Sequence, residues 1–383
     1  MKAVVFRGPS RPLEVEDIEV DHPGPREVRV SVAAAGVCRS DLHVRLGEWD
    51  RRTPLVMGHE GAGVVTELGP DVQGLQLGDH VVLNWQPACG RCPLCVQGLP
   101  QHCELVGNVV GTRGVLMDGT SRLHVSGETL FHYSAVSSFA EEAIVPESGA
   151  VRIRQDLPLD CAALIGCCVS TGVGAVLRTA EVRAGASVVV IGCGAVGLSA
   201  VQGARIAGAT SILAVDLLAT KLRLAREMGA TDVVDATDGD AVMSIRDLTK
   251  GGADFVFDCI GLPLTISQAL AMLGVRGCAT IVGMPPYGVK ACFDPLPLVE
   301  REQRVIGSNY GSVRPPVDFG FLADLYAAKR LDIDGLISHR RQLLEVDTAF
   351  EDLLSGRGVR TVLLPNGLAP LAGEGGRLDR GWS

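Results

Sequence analysis

Four cysteines occur within one short loop of the sequence, spaced as Cys89-x2-Cys92-x2-Cys95-x7-Cys103. Thiolates are soft ligands, and four of them fill the tetrahedral shell of Zn²⁺ with no position left for water or substrate. Four unrelated buried cysteines are the alternative, but buried cysteines seldom cluster at this spacing in a polar loop rich in glycine and proline. The spacing therefore predicts a structural zinc that closes a lobe over residues 89–103.

A second set of possible ligands is dispersed along the chain. Cys38, His59 and Cys167 offer two thiolates and an imidazole, a set that suits zinc and leaves a fourth position open for water or substrate. A site of that kind is catalytic. Because the three residues are far apart in sequence, their spacing does not show that they form one site. An isolated cysteine or histidine is more often a core residue than a ligand.

A glycine-rich segment, Gly192-Cys193-Gly194-Ala195-Val196-Gly197, follows an apolar strand and opens a helix. The first glycine permits the turn, the second lets the backbone approach a pyrophosphate, and the third lets helix and strand pack closely. Asp216 ends the next strand, where its carboxylate can bind ribose hydroxyls and would repel a 2′-phosphate. The segment predicts an NAD site, although a packing turn beside a chance acidic residue has the same pattern.

These groups need two kinds of scaffold to position them. Up to about residue 157 the pattern is one of short alternating strands, such as 28–32, which predicts an antiparallel β domain. From about residue 169 strands and helices alternate, beginning with a strand at 187–191 and a helix at 196–207, which predicts a doubly wound parallel sheet. Helices at 319–329 and 348–354 and a strand at 360–364 should return to the first domain.

The predicted domains are therefore a catalytic domain of residues 1–168 and 310–383 and an NAD-binding domain of residues 169–309. Residues 365–383 hold several glycines without periodicity and predict a flexible tail. A chain of 383 residues is long enough for two cores.

The composition excludes several classes of protein. The net charge is -9 and no basic block occurs, so a nucleic-acid partner is not expected. The uncharged stretches within 160–178 and 183–205 are long enough for membrane spans. Glycines interrupt the second stretch, however, and its first apolar residues are typical of a buried strand followed by a helix, so a membrane protein is not expected. Twelve cysteines, four of them at metal spacing, indicate a reducing cytoplasm rather than a disulfide framework.

Taken together, the motifs resemble a known family in their order and spacing. They are Cys38-Arg39-Ser40-Asp41 with His43, Gly58-His59-Glu60, the four-cysteine lobe, Gly166-Cys167 before Ser170-Thr171-Gly172, and the glycine-rich loop. The family is the zinc-dependent alcohol dehydrogenases of the medium-chain dehydrogenase/reductase superfamily, of the horse-liver type with a longer loop. The resemblance covers about residues 3–364 and implies a GroES-like β-rich catalytic domain, a Rossmann domain, NAD and two zinc ions per chain.

The resemblance also implies roles for single residues. Cys38, His59 and Cys167 would bind the catalytic zinc, Asp41 would hold the His59 ring, and Glu60 would lie behind the metal. Cys168 stands where the family usually has glycine, so the choice of Cys167 rests on the alignment. Ser40 would take the alcohol proton and pass it through the nicotinamide ribose to His43, which would reach solvent.

The remaining implied residues contact the cofactor. Arg39 and Arg360 match pyrophosphate contacts, although either could be a solvated charge, and Lys221 could reach the ribose or be a surface residue. The other expected cofactor contacts are Thr171, Gly192, Gly194, Ala195, Val196, Gly197, Asp216, Val282 and Tyr310.

Trp49 and Trp85 match positions that line the family's substrate cleft, and Ser40 is one methyl smaller than the usual threonine. They favour a primary alcohol, aromatic or allylic in particular, with secondary alcohols also open; both tryptophans could instead be core. The natural rival is a glutathione- or mycothiol-dependent formaldehyde dehydrogenase, but Gly107 replaces the arginine that anchors glutathione there. A nucleotide-binding relative without catalysis is the other alternative. The resemblance favours a homodimer over a tetramer, formed through the edge of the nucleotide-binding sheet.

Overall fold

A computed structural model describes residues 1–356 and 358–367. The chain forms two compact units, the first containing Met1–Cys167 and the described residues from Arg314 onward, the second Cys168–Val313. These bounds lie within a few residues of the predicted domain boundaries, and the assignment of functions to the two domains stays a prediction.

The strands of the described residues, in chain order, are β1 Lys2–Phe6, β2 Glu14–Asp17, β3 Glu19–Val20, β4 Glu27–Gly36, β5 Leu55–Val56, β6 Glu60–Leu68, β7 His80–Leu83, β8 Leu123–Val125, β9 Glu128–His132, β10 Glu142–Pro146, β11 Ala150–Arg152, β12 Ser187–Ile191, β13 Ser211–Asp216, β14 Asp232–Asp235, β15 Ala253–Asp258, β16 Leu273–Ile281, β17 Arg304–Gly307, β18 Ile337–Gln342 and β19 Arg360–Leu364. The α-helices are α1 Arg39–Arg45, α2 Pro93–Val96, α3 Gly111–Arg113, α4 Leu159–Leu164, α5 Ser170–Gly174, α6 Ala195–Ala207, α7 Ala219–Glu227, α8 Ala241–Leu248, α9 Pro263–Ala271, α10 Leu296–Glu300, α11 Pro315–Ala327 and α12 Val346–Leu354. Short 3-10 and π segments are Pro100–His102, Val106–Val110, Glu147–Gly149, Ile165–Val169, Ala175–Thr179, Tyr310–Ser312, Asp334–Leu336 and Leu343–Glu345.

The first unit is built on two mainly antiparallel sheets. One has the order β2-β1-β5-β9-β8-β3, and the other has the order β11-β7-β6-β4-β19-β18 with β10 paired to β4. Alternate residues of β4 are buried, as the alternating pattern over 28–32 predicted. The late strand β19 pairs antiparallel with β4, so the described end of the chain returns to the sheet of the first unit.

The second unit contains one parallel sheet of six strands in the order β14-β13-β12-β15-β16-β17. In sequence terms this is 3-2-1-4-5-6, the order of dinucleotide-binding α/β domains. The predicted doubly wound sheet is therefore confirmed. Its central strands are buried on both faces, which explains why β12 reads as an unbroken apolar run.

Some predicted bounds differ from the structure. The helix predicted at 319–329 begins at Pro315, because proline at the first helical position has a preset φ and needs no amide partner there. The stretch within 183–205 forms β12 and most of α6. Of the predicted flexible tail, 368–383 lie outside the described residues. In the described part, the Asn366 amide donates to the Val32 and Glu141 carbonyls at 2.9 Å each.

One helical run among the described residues, Leu159–Thr179, is long and apolar enough to cross a membrane. Its most apolar window is 89% buried within the protein, as expected for a core helix.

Candidate zinc and dinucleotide sites

Three chain segments of the first unit bring Cys38, His59 and Cys167 together. Cys38 links β4 to α1, His59 precedes β6, and Cys167 follows α4. The ligand atoms of all three side chains lie within 4.8 Å of one another, and His59 Nε2 is 3.4 Å from Cys167 Sγ. With zinc–sulfur and zinc–nitrogen bonds of about 2.3 and 2.0 Å, tetrahedral ligands are separated by roughly 3.5 Å. The buried trio therefore fits a zinc ion with one position left open.

Asp41 holds the His59 ring in place. Its Oδ1 lies 2.9 Å from His59 Nδ1, and its Oδ2 accepts the Cys38 backbone N–H at 2.9 Å. The carboxylate is completely buried and also caps the first turn of α1. A carboxylate only accepts hydrogen bonds, so the proton of a neutral ring lies on Nδ1 and Nε2 is left for a metal.

Two aromatic rings pack edge-on against the His59 ring. The ring centroid of Tyr133 is 5.6 Å away and that of Trp85 is 6.4 Å away. The Tyr133 hydroxyl donates to the Ser40 carbonyl at 3.3 Å, which ties this wall to the first turn of α1. Trp85 is thus placed next to a proposed zinc ligand.

Behind the trio lies a buried charge pair. Arg360 Nε is 3.7 Å from Glu60 Oε1, and its Nη1 donates to the Val37 carbonyl at 2.7 Å. Burial raises the pKa of Glu60 to about 7, against the opposing effect of the Arg360 guanidinium. Gly36 makes the room, because a Cβ there would lie 2.1 Å from Glu60 Oε1. Arg360 is 5% exposed, and its predicted contact with a pyrophosphate stays a prediction.

The two predicted relay residues lie on α1. Ser40 is half-buried in the first turn, and the His43 ring stacks on Trp49 with centroids 4.6 Å apart. His43 is only 6% exposed, and its place at the solvent end of the relay stays a prediction. Its Nδ1 is hydrogen-bonded to Glu48, a residue that follows the end of α1. Trp49 belongs to the main apolar core of this unit, so it is both a core residue and a wall of the His43 site.

The four-cysteine loop forms the second metal-binding group. The four sulfur atoms lie within 4.8 Å of one another. The Cys89 N–H donates to Cys103 Sγ at 3.3 Å, and the Cys92 N–H donates to Cys89 Sγ at 3.4 Å. Backbone N–H groups of Glu104 and Cys95 lower the pKa of the Cys92 thiol to about 6. Burial, in contrast, raises the pKa of the Cys95 thiol to about 12, so the assignment rests on the geometry: four sulfur atoms around one point fit a closed structural zinc site.

The glycines of the loop after β12 occupy three different environments. Gly192 has a φ of +91°, which permits the turn. A Cβ on Gly194 would meet nothing within 4 Å, whereas one on Gly197 would lie 1.7 Å from the Gly192 carbonyl oxygen. The turn, the open surface and the close packing match the three roles predicted for a dinucleotide loop.

Asp216 lies at the carboxyl end of β13, beside this loop. Its Oδ2 accepts the Cys193 N–H at 2.7 Å, and its Oδ1 accepts the N–H groups of Leu217 and Leu218 at 2.8 and 3.0 Å. Three backbone donors therefore fix the orientation of the carboxylate.

The other predicted cofactor residues are placed as follows, and their contacts stay predictions. Ala195 and Val196 begin α6, Thr171 lies in α5, Lys221 in α7 and exposed Arg39 in α1, while Val282 follows β16 and Tyr310 begins a 3-10 turn, both buried.

Comparison with known proteins agrees with this architecture. Residues 24–155 match the family model described as an alcohol dehydrogenase GroES-like domain, and residues 195–328 match the one described as a zinc-binding dehydrogenase. The chain is 38% identical to S-(hydroxymethyl)glutathione dehydrogenase of Saccharomyces cerevisiae, over 94% of this chain and 95% of that protein.

Solved structures are equally similar. An alcohol dehydrogenase zinc-binding domain protein from Burkholderia ambifaria superposes with a TM-score of 0.91 at 38% identity, covering 95% of this chain and 98% of the other. Benzyl alcohol dehydrogenase from Acinetobacter calcoaceticus gives 0.90 at 33% identity with the same coverage of both chains.

A GroES-like unit with a buried Cys₂His site and a parallel dinucleotide-type sheet define a zinc-dependent oxidoreductase. The chain belongs to the zinc-binding medium-chain alcohol dehydrogenase family, whose members use NAD(P). The predicted family, fold and pair of candidate zinc sites are thereby confirmed.

Sequence reasoning did not find Gly36, Glu48 or Tyr133. Gly36 and Tyr133 give no local signal, since only the folded chain brings them to Glu60 and His59. Glu48 did give a signal, because an acidic residue in the turn after a helix can fold back onto a side chain of the last helical turn, here His43.

Proposed function

We propose that this protein is an NAD-dependent zinc alcohol dehydrogenase that interconverts an alcohol and its aldehyde or ketone. The observation that carries the proposal is the buried Cys38, His59 and Cys167 trio, whose three ligand atoms leave a tetrahedral zinc one open position. When bound, zinc lowers the proton affinity of an alcohol oxygen and NAD accepts the hydride.

The protein's own residues have the tasks of binding, orientation and proton transfer. Asp41 orients His59 toward the metal position through the 2.9 Å contact at Nδ1. The Ser40 hydroxyl would take the alcohol proton, and His43 would receive it at the far end of the relay. We propose that the first unit is the catalytic domain, with Glu60 and Arg360 supporting its metal site from behind.

The second unit is the proposed NAD-binding domain. Its glycine loop would receive the pyrophosphate at the start of α6, and Asp216 would bind the adenosine ribose. Three backbone N–H groups hold the Asp216 carboxylate, so it cannot easily turn away from a 2′-phosphate. NAD should therefore bind more tightly than NADP, and titration with both cofactors tests this preference.

The substrate is proposed to be a primary alcohol, in particular an aromatic or allylic one. Trp85 packs beside His59, and a structure 33% identical to this chain is of a benzyl alcohol dehydrogenase. The test is NAD-linked oxidation of ethanol, hexanol, benzyl alcohol and cinnamyl alcohol, with the zinc content measured on the same sample. Inactivity toward every free alcohol by protein with two zinc ions per chain would contradict the proposal.

A second candidate is oxidation of a hydroxymethyl-thiol formed from formaldehyde. The curated relative at 38% identity carries the name of such an enzyme. Against it, Gly107 lies where those enzymes would have an anchoring arginine, and a Cβ there would meet nothing within 4 Å. Assays of formaldehyde with glutathione or mycothiol separate the two candidates. One zinc and no turnover would indicate a relative without catalysis.

We also propose a cytoplasmic homodimer. The twelve cysteines are free of disulfides, as a reducing compartment requires. The edge strand β17 and its surroundings expose apolar side chains, with Val275 71%, Val299 79% and Val305 39% exposed. An unpaired edge beside apolar residues favours strand-to-strand association. Sedimentation equilibrium of the wild type and of a Val305→Lys variant tests this proposal.

A further inference from the structure

The segment that follows α1 contacts the His43 ring at two places, on one face and at Nδ1. The N–H groups of Glu48 and Trp49 both donate to the His43 carbonyl, at 2.9 and 3.2 Å, which closes a turn beyond the helix end. Gly47, with a φ of +74°, permits this turn. The turn brings the Trp49 ring over the imidazole and the Glu48 carboxylate to its Nδ1.

The two members of this pair differ in their access to water. The His43 side chain is 8% exposed, whereas the Glu48 side chain is 33% exposed. A further charged group near the ring stack is Arg51, whose guanidinium carbon lies 5.9 Å from the Trp49 centroid. Glu48 is therefore the acidic group that directly contacts the imidazole and also meets solvent.

A carboxylate partner decides which ring nitrogen can receive a proton. Because Glu48 only accepts, a neutral His43 ring carries its hydrogen on Nδ1, and Nε2 keeps its lone pair. A proton transferred from a hydroxyl group then breaks an O–H bond, forms Nε2–H and leaves an imidazolium. The Glu48 charge stabilises that cation until water or buffer removes the proton, in the way a buried aspartate supports the histidine of a hydrolase triad.

We propose that Glu48 is a positioning residue of the proton relay, which sets the His43 tautomer and stabilises its charged form. This inference rests on the proposed function and deepens it. The zinc ligands and the cofactor loop are not involved, so the effect of Glu48 should be confined to proton transfer.

The first test needs no turnover. The ¹⁵N spectrum of the cofactor-free protein labelled at histidine should show Nδ1 protonated in the neutral His43 ring, assigned with His43→Ala. In Glu48→Ala this preference should be lost, whereas a matched surface variant, Glu351→Gln on α12, should retain it. An unchanged tautomer in Glu48→Ala would overturn the inference.

The second test measures proton transfer. Glu48→Gln keeps a hydrogen-bonding side chain but removes the charge, and it should slow single-turnover alcohol oxidation about tenfold, the cost of one charge-assisted hydrogen bond. KM should stay unchanged, and added imidazole buffer should restore part of the rate. In a His43→Ala background Glu48→Gln should have no further effect. A further tenfold loss in that background, or a rate within twofold of wild type in the single variant, would refute the inference.

The two tests separate this inference from the proposed function. A wild-type protein that oxidises no alcohol would refute the dehydrogenase proposal, whereas the tautomer comparison would still report on Glu48.

Discussion

Replacing Asp41 by asparagine should weaken the catalytic zinc site while leaving the structural one intact. The carboxylate is completely buried and accepts two hydrogen bonds of 2.9 Å, one from His59 Nδ1 and one from the Cys38 N–H. An asparagine has one acceptor oxygen. If that oxygen faces His59, the amide nitrogen faces the Cys38 N–H, and two donors oppose each other.

The magnitude follows from the lost contact. A hydrogen bond to a charged group contributes about 1.5 to 3 kcal/mol, and each 1.4 kcal/mol is about a factor of ten in affinity. Asp41→Asn should therefore lower the zinc affinity of the Cys38, His59 and Cys167 site by roughly 10- to 100-fold, the usual range for a residue that orients a metal ligand.

The assay is competition with a chelator, monitored by the absorption of cobalt substituted at the catalytic site. Asp240→Asn is a matched control, because Asp240 caps α8 through the Val242 and Met243 N–H groups and contacts neither metal-binding group. The control should keep wild-type affinity at both sites. Affinity within twofold of wild type in Asp41→Asn would refute the assigned role of this carboxylate.

Three further predictions address the other parts of the molecule. Cys167→Ser should leave one zinc per chain and abolish turnover, whereas Cys168→Ser should retain two zincs by elemental analysis. Gly197→Ala should lose about 1 to 3 kcal/mol of stability toward urea and also lose NAD binding, because its Cβ would collide with a carbonyl oxygen 1.7 Å away. Gly194→Ala should keep the wild-type stability and lose only NAD binding, with binding measured by calorimetry in both variants. Burial would raise the pKa of Asp254, but hydrogen bonds from Ser187 and the Arg183 charge lower it, so its stabilisation is present above about pH 4 and lost as pH falls further. Asp254→Asn should cost about 1 kcal/mol at neutral pH and flatten the acid limb of the urea-stability profile.

Local sequence patterns predicted the features that depend on contacts between residues close in sequence. The four-cysteine spacing places its sulfur atoms around one point because a short loop must return on itself. The glycine loop after β12 was also predictable, because each glycine is required by a neighbouring backbone atom or by open space.

The catalytic trio was not predictable from spacing alone. Cys38, His59 and Cys167 come from three segments that only the folded β4 and β6 sheet and the α4 region bring within 4.8 Å. Family resemblance supplied what spacing could not. The burial of Arg360 beside Glu60 was missed for the same reason, since an arginine in a sequence carries no sign of whether a buried carboxylate will face it.

The same arrangement, a carboxylate facing Nδ1 of a histidine, occurs twice in the segment around α1. Asp41 in its first turn and Glu48 beyond its last turn each face the Nδ1 atom of a histidine, so each leaves Nε2 as the free acceptor. For His59 that acceptor faces Cys167, where a metal fits, and for His43 it is available for a proton. Asp41 lies within this short helix, and the turn that carries Glu48 is bonded to the carbonyl of His43 in its last turn, so fraying of α1 should disturb metal binding and proton transfer together. The Asp41 bond to the Cys38 N–H, which caps this helix, therefore supports both functions.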